Sequence, residues 1–270
     1  MPNRSDAELS RDVARNAGQL LLELRDSFGP IDDKDAATAL RKQADRAAHE
    51  LIMAELTAAR PDDAILSEEG KDNDLRLSAS RVWIVDPLDG TWEYGQGRPD
   101  FAVHIALWEP AGERLTAATV DLPAQGLSRT VLDEVVGPAP LPLDRPIRIV
   151  ASRSRPPATL PAAIDLLGRA LAQAGITDRG VEIIDVGSVG AKVNEIISGR
   201  AEAYVHDTGF FEWDVAAPYG VALHYGLVPS HVDGSPVLFN FMPPYVTDLV
   251  VGHPALIDHL RAALREAARP

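Results

Sequence analysis

Apolar residues recur at Leu9, Val13, Ala17, Leu20, Leu21, Leu24 and Phe28, the three-and-four spacing of one helix face. Arg11, Arg15, Glu23 and Arg25 fall mostly on the opposite face. Ser5 and Glu8 stand at capping-box spacing before this run, and Gly29-Pro30 marks its end. A second helical pattern covers about 38–59, with Ala44, Ala48, Leu51, Ile52 and Leu56 on one face and Pro61 as its stop. The period then changes. Ala64–Leu66, Val82–Val85, Phe101–Trp108, Leu115–Val120 and Leu127–Val131 read as short strands separated by turn residues.

Residues 137–146, GPAPLPLDRP, carry four prolines and read as a linker or boundary. Beyond them strands and helices alternate: strand Ile147–Ala151, helix near 159–174, strand Val181–Val186, helix 188–198, strand Ala201–His206 and a helix from about 214. Alternation predicts an α/β layer, whereas two helices followed by strands predict α+β. The expected organisation is an α+β half over 1–143 followed by an α/β half over 144–270. The Ala-rich tail, 262–268, is a good helix former, and no internal repeat is present.

Charge narrows the choice of partners. Lys and Arg total 26 against 40 Asp and Glu, a net charge of −14, which argues against a broad basic footprint for nucleic acid or an anionic membrane. An anionic ligand would need a metal or a small cationic pocket. The absence of cysteine excludes thiol catalysis, disulfides and Cys-ligated zinc, and fits a cytoplasmic protein. The N-terminus does not read as a signal peptide, and no apolar run reaches the ~18 residues of a membrane span.

The carboxylates carry the chemistry. In WIVDPLDGTWE, Asp86 and Asp89 follow an apolar strand at once, and Leu88 between them offers a carbonyl. Glu68 in SEEG follows the strand Ala64–Leu66, Asp214 in EWDVAAP opens a helix, and Asp45 lies on a helix beside Ala44 and Ala48. Taken singly, each has an ordinary reading: an Asp-Gly turn, a solvated loop, a helix cap and an exposed helix position. Together, without Cys or an HExxH pair, they form a hard oxygen donor set suited to Mg²⁺ or Mn²⁺. Pro87 pre-sets its φ, and Gly90 permits a close backbone approach. A helix starting at Thr91 would aim free amides at an anion, and the Thr91 hydroxyl could orient a water. Metal donors and a phosphate cradle within six residues suggest metal-assisted phosphoryl transfer to water.

In their order and spacing, Glu68, Asp86-Pro87-Leu88-Asp89-Gly90-Thr91 and Trp213-Asp214-Val215-Ala216-Ala217 resemble the signature of a phosphatase superfamily. It is the lithium-sensitive, magnesium-dependent group containing inositol monophosphatases, fructose-1,6-bisphosphatases and bisphosphate nucleotidases. The resemblance implies a layered αβαβα sandwich. It also implies a magnesium site of two or three ions, with Mn²⁺ able to substitute and Li⁺ inhibitory, built from Glu68, Asp86, the Leu88 carbonyl, Asp89 and Asp214. By the same resemblance Asp45 and Thr91 activate the attacking water, and the Gly90 and Thr91 amides hold the phosphate. Arg41-Lys42-Gln43-Ala44, before Asp45, departs from the family's usual Thr.

SRSR (152–155) and GSVGAK (187–192) resemble segments of the CysQ-like branch, 3′-phosphoadenosine-5′-phosphate phosphatases, which implies that Ser152 and Lys192 bind substrate. Lys192 also has an ordinary reading, a solvated helix lysine. Trp92 stands where that branch carries a basic residue, whereas Glu93 agrees with it. The implied reaction is hydrolysis of the 3′-phosphate of adenosine 3′,5′-bisphosphate, with the sulfated analogue PAPS as a further substrate. Inositol-1-phosphate or fructose-1,6-bisphosphate hydrolysis is the alternative, and a non-catalytic binder on a dead phosphatase fold is a third reading. The expected partner is a small phosphorylated molecule; the oligomeric state, a homodimer included, is left open.

Overall fold

Ser5 caps helix α1 (Asp6–Phe28) as its spacing predicts: the Glu8 amide donates to Ser5 Oγ at 3.2 Å, and the Ser5 amide donates to Glu8 Oε2 at 2.8 Å. The structure, a computed structural model, describes residues 4–29, 31, 33–135, 137–153 and 155–269. The expected helix stop at Pro30, and Ser154 of the SRSR turn, lie outside the described residues. Helix α2 (Lys34–Ala59) begins ahead of the apolar pattern because Asp33 caps it, accepting from the Ala36 amide at 2.8 Å.

Strands β1 (Ala64–Ser67), β2 (Val82–Asp89), β3 (Ala102–Glu109), β4 (Arg114–Leu122) and β5 (Leu127–Thr130) form one sheet in that order. β1 runs parallel to β2, and the other pairs are antiparallel. Side chains alternate between the faces. Trp83, Val85, Val103, Ile105 and Leu107 pack against α1 and α2, while Val82, Ile84, Ala106 and Trp108 face the opposite way. The short helix α3 (Thr91–Gly95) follows β2.

The second sheet contains β6 (Ile147–Ser152), β7 (Val181–Val186), β8 (Ala203–His206), β10 (Val228–Ser230) and β12 (Leu249–Gly252), in the order β10-β12-β8-β6-β7. β9 (Phe210–Phe211) and β11 (Tyr245–Val246) form a separate small ribbon. Helices α5 (Val189–Ile197) and α6 (Glu212–His224) lie between the two sheets, sharing one core with Val82 and Ile84 of the first and Val150, Tyr204 and Val251 of the second. Helices α4 (Leu160–Gln173) and α7 (Ile257–Ala267) cover the far face, against Ile149, Val205 and Val250. The layers therefore run αβαβα, as expected.

Two details depart from expectation. The second sheet is mixed, because β12 runs antiparallel to both β8 and β10. Strands β9 to β12 span only two to four residues each, too few for a periodic signal to emerge from sequence.

Asp121, near the end of β4, is buried away from the acidic residues considered above. It packs against Gly18 of α1, where a Cβ would come within 2.1 Å of its Oδ2, and it accepts from Ser128 Oγ. Burial is the main influence and raises its pKa to about 6, against the lowering effects of Ser128 and Arg15. A carboxyl with a raised folded pKa contributes stability that is full below its unfolded value of 3.8 and lost as pH rises through about 6. Asp121→Asn is therefore expected to raise the melting temperature by ~2–4 °C at pH 8, with little change at low acidic pH. Calorimetry at both pH values checks this, and equal melting temperatures at pH 8 would contradict it.

Candidate active site

Asp86 and Asp89 are three residues apart, so a regular strand would point them to opposite faces. A bulge in β2 removes the conflict. Asp86 pairs with His104 and Asp89 with Ala102, so β2 advances three residues while β3 advances two. The extra residue falls at Pro87-Leu88, where Pro87 has no amide to contribute to the ladder. The Leu88 amide donates instead to Asp86 Oδ1 at 2.9 Å. Both aspartates thus face the middle layer, and the strand extends through residues that sequence alone places after its end.

Asp214, in the first turn of α6, joins them. It reaches back to accept from the Phe211 amide at 2.8 Å, and one oxygen from each of Asp86, Asp89 and Asp214 lies within 4.8 Å of the others. Glu68 follows β1, its amide donating to Val85 O at 3.2 Å. It is solvent-exposed as a residue, yet its carboxyl group faces the cluster. Desolvation raises the pKa of Asp86 well above the carboxylate range, with Glu68, Asp89 and Asp214 adding to the shift. Asp214 is pushed up to about 8, first by desolvation and then by Asp89. Glu68 is raised as well, chiefly by desolvation. Four carboxyl groups gathered around one point, with oxygen donors only, make a site that a hard divalent cation would complete.

These acids share a cleft of ≈ 240 Å³ with Leu88, Gly90, Thr91, Ser152 and Lys192. Gly90 has φ +86°, and a Cβ there would lie 3.1 Å from Asp100 O and 3.2 Å from Phe101 Cα, so glycine is required. Thr91 Oγ1 donates to Leu88 O at 2.9 Å, which leaves its own lone pairs to accept from a water. Lys192 is not the solvated helix lysine. It is buried, its Nζ donates to Ser188 O at 3.2 Å, and desolvation lowers its pKa to about 8.

Asp45 is the outlier among the expected residues. It sits half-buried on α2 and is not among the residues lining the cleft. Its pKa is raised to about 7, first by desolvation and then by Glu69 and Glu68.

Other residues of the cleft went unassigned in the sequence. Ser188, at φ +25°, donates its hydroxyl to Asp89 Oδ2 at 2.6 Å, and the Val189 amide donates to the same oxygen at 2.5 Å. Arg153, just after β6, ties that strand's end to the segment between β2 and β3, donating to Glu93 Oε1 at 2.9 Å and Asp100 Oδ2 at 3.1 Å. Arg155, Tyr204 and His206 also line the cleft. SRSR held the clue to the arginines, but no local pattern announces Tyr204 or His206, which a short buried strand carries.

The model of the inositol monophosphatase family matches residues 3–268. A 3′-phosphoadenosine 5′-phosphate phosphatase of Mycobacterium leprae is 40% identical over 97% of this chain and 94% of its own length. The 3′(2′),5′-bisphosphate nucleotidase CysQ of Escherichia coli K12 is 30% identical over 83% and 90%. Among solved structures, CysQ from Bacteroides thetaiotaomicron, described as a bacterial member of the inositol monophosphatase family, superposes with a TM-score of 0.72. It is 26% identical and covers 92% of this chain and 96% of its own. The chain belongs to the inositol monophosphatase family.

Proposed function

We propose that the chain is a cytoplasmic, magnesium-dependent phosphomonoesterase that removes the 3′-phosphate of adenosine 3′,5′-bisphosphate, giving AMP and phosphate, and that also accepts PAPS. The observation that carries the reading is one cleft in which the acidic cluster, Thr91 and a buried lysine converge. The 40% identity to the Mycobacterium leprae phosphatase along nearly the whole chain supports the substrate. Of the two halves, 1–143 supplies Glu68, Asp86, Leu88, Asp89 and Thr91, while 144–270 supplies Ser152, Lys192 and Asp214.

Glu68, Asp86, the Leu88 carbonyl, Asp89 and Asp214 would hold the magnesium. Bound there, it supplies charge neutralisation of the phosphate and a more acidic water. The protein's own part is positioning. Gly90 and Thr91 present the start of α3 to the scissile phosphate. Thr91 fixes the direction of the attacking water, because its hydroxyl proton is committed to Leu88 O. The family resemblance makes Asp45 the base for that water; it stands on α2 outside the residues that line the cleft, so its part would be indirect, through Glu68 or a further water. Lys192 offers its ammonium to the second phosphate, and Ser152 lines the same cleft.

Thr91→Ala is expected to lower kcat by about a hundredfold while KM stays within ~3-fold; steady-state kinetics check it, and an unchanged kcat would remove Thr91 from water orientation. Lys192→Met keeps the side-chain volume and loses the charge. It is expected to cost roughly ten- to a hundredfold in kcat/KM for adenosine 3′,5′-bisphosphate, with inositol-1-phosphate hydrolysis nearly intact. An equal loss on both would assign Lys192 to the shared phosphate or to the fold. The substrate assignment is tested by a phosphate-release panel at saturating Mg²⁺. The highest kcat/KM should fall to adenosine 3′,5′-bisphosphate, ahead of inositol-1-phosphate and fructose-1,6-bisphosphate; preference for either of the latter would overturn it.

A further inference from the structure

Trp92 differs from every other large apolar residue of the cleft. It is 51% exposed, whereas Leu88, Val189, Tyr204 and Phe210 are buried and Val186 is half-buried. Among the described residues its ring makes no aromatic or cation–π contact. Folding normally hides an indole of this size, so an open one at a cleft rim is a surface available for burial by something else.

The residues around it are fixed. Gly90 admits no side chain, as shown above. Glu93 is ion-paired to Arg153 at 2.9 Å, and the buried Tyr94 donates its hydroxyl to Leu21 O at 2.8 Å. Trp92 lies between these anchors on the five-residue helix α3. It is therefore a flat aromatic plate on a rigid base, which binds with little ordering cost.

The rest of the cleft indicates what such a plate would meet. The acidic cluster takes a cation with a phosphate, and Lys192 and the exposed Arg155 offer positive charge to a further anionic group. Neither provision calls for an aromatic surface. A polyol or sugar phosphate has no planar ring to stack, whereas a nucleobase has two faces available for stacking.

We propose that Trp92 is a specificity-determining residue that stacks on the purine of the substrate, so that the cleft selects nucleoside bisphosphates over polyol phosphates. This inference rests on the nucleotidase reading above. Trp92→Ala is expected to reduce kcat/KM for adenosine 3′,5′-bisphosphate about ten- to a hundredfold and to raise the inhibition constant of AMP by a similar factor. The inhibition constant of ribose 5-phosphate, which lacks the base, should move by less than ~2-fold, and Trp92→Phe should recover most of the loss. Binding gives a readout independent of turnover. AMP with Mg²⁺ should quench the tryptophan emission of the wild type more than that of Trp92→Phe; Trp83 and Trp108 are buried, and the half-buried Trp213 beside Asp214 contributes equally to both proteins, so the difference reads Trp92.

An equal loss for AMP and ribose 5-phosphate, no loss for either, or a quench of equal size in the wild type and Trp92→Phe would overturn the assignment. Wild-type inactivity toward adenosine 3′,5′-bisphosphate would overturn the nucleotidase reading itself. A competent wild type paired with an unaffected Trp92→Ala would overturn only the role of Trp92.

Discussion

Asp89→Asn should lose almost all turnover while keeping the fold. On the proposal that Asp89 holds the metal directly, its replacement should exceed the ~10–100-fold cost of disturbing the metal's outer partners. Asp89 holds two positions at once. Its Oδ2 accepts from Ser188 Oγ at 2.6 Å, from the Val189 amide at 2.5 Å and from the Gly190 amide at 3.3 Å, capping α5. That leaves Oδ1 to serve a cation. Asparagine keeps one oxygen for the cap and loses the negative charge, so the circular dichroism spectrum should be unchanged. Without metal, the variant should melt no lower than the wild type, since one charge has left a repulsive cluster. With Mg²⁺ the wild type should rise in melting temperature and the variant should not. Wild-type kcat in Asp89→Asn would remove Asp89 from the metal site.

Removing the metal altogether should have an equally large effect. Asp86, Asp89 and Asp214 place oxygens within 4.8 Å of one another, so without a cation the cleft pays either for repulsion or for protonation. Exhaustive chelation is expected to abolish phosphate release and Mg²⁺ to restore it. Because only the folded chain assembles the site, magnesium at about a hundred times its dissociation constant should add ~2.7 kcal/mol of stability. A rise in melting temperature read by calorimetry, parallel to the recovery of activity, is the expected pattern. Activity that survives rigorous chelation would remove the metal from the reaction.

Much of this was legible in the sequence because the signals were local. The capping box at Ser5 and Glu8 needs four residues, and the first two helices declare themselves by period. The acids of DPLDGT stand out because an apolar strand precedes them. What escaped was relational. No sequence rule shows that a bulge at Pro87-Leu88 turns Asp86 and Asp89 to one face, since that depends on how β3 pairs with them. Lys192 reads as a solvated lysine from its helix alone; it is buried because α5 lies between two sheets. Arg153 acquires its place only when β6 comes up beside Glu93 and Asp100, residues more than fifty positions earlier. Trp92 was visible as a departure from a family pattern, but its exposure had to be seen.

The most direct measurement follows the phosphates themselves. Adenosine 3′,5′-bisphosphate is incubated with the purified protein and Mg²⁺, and the products are resolved by ³¹P NMR. The expected result is one equivalent of inorganic phosphate and a single nucleotide, AMP, with no reaction in a chelated control. Accumulation of adenosine 3′-phosphate, or an unaltered bisphosphate under conditions where inositol-1-phosphate is hydrolysed, would contradict the account.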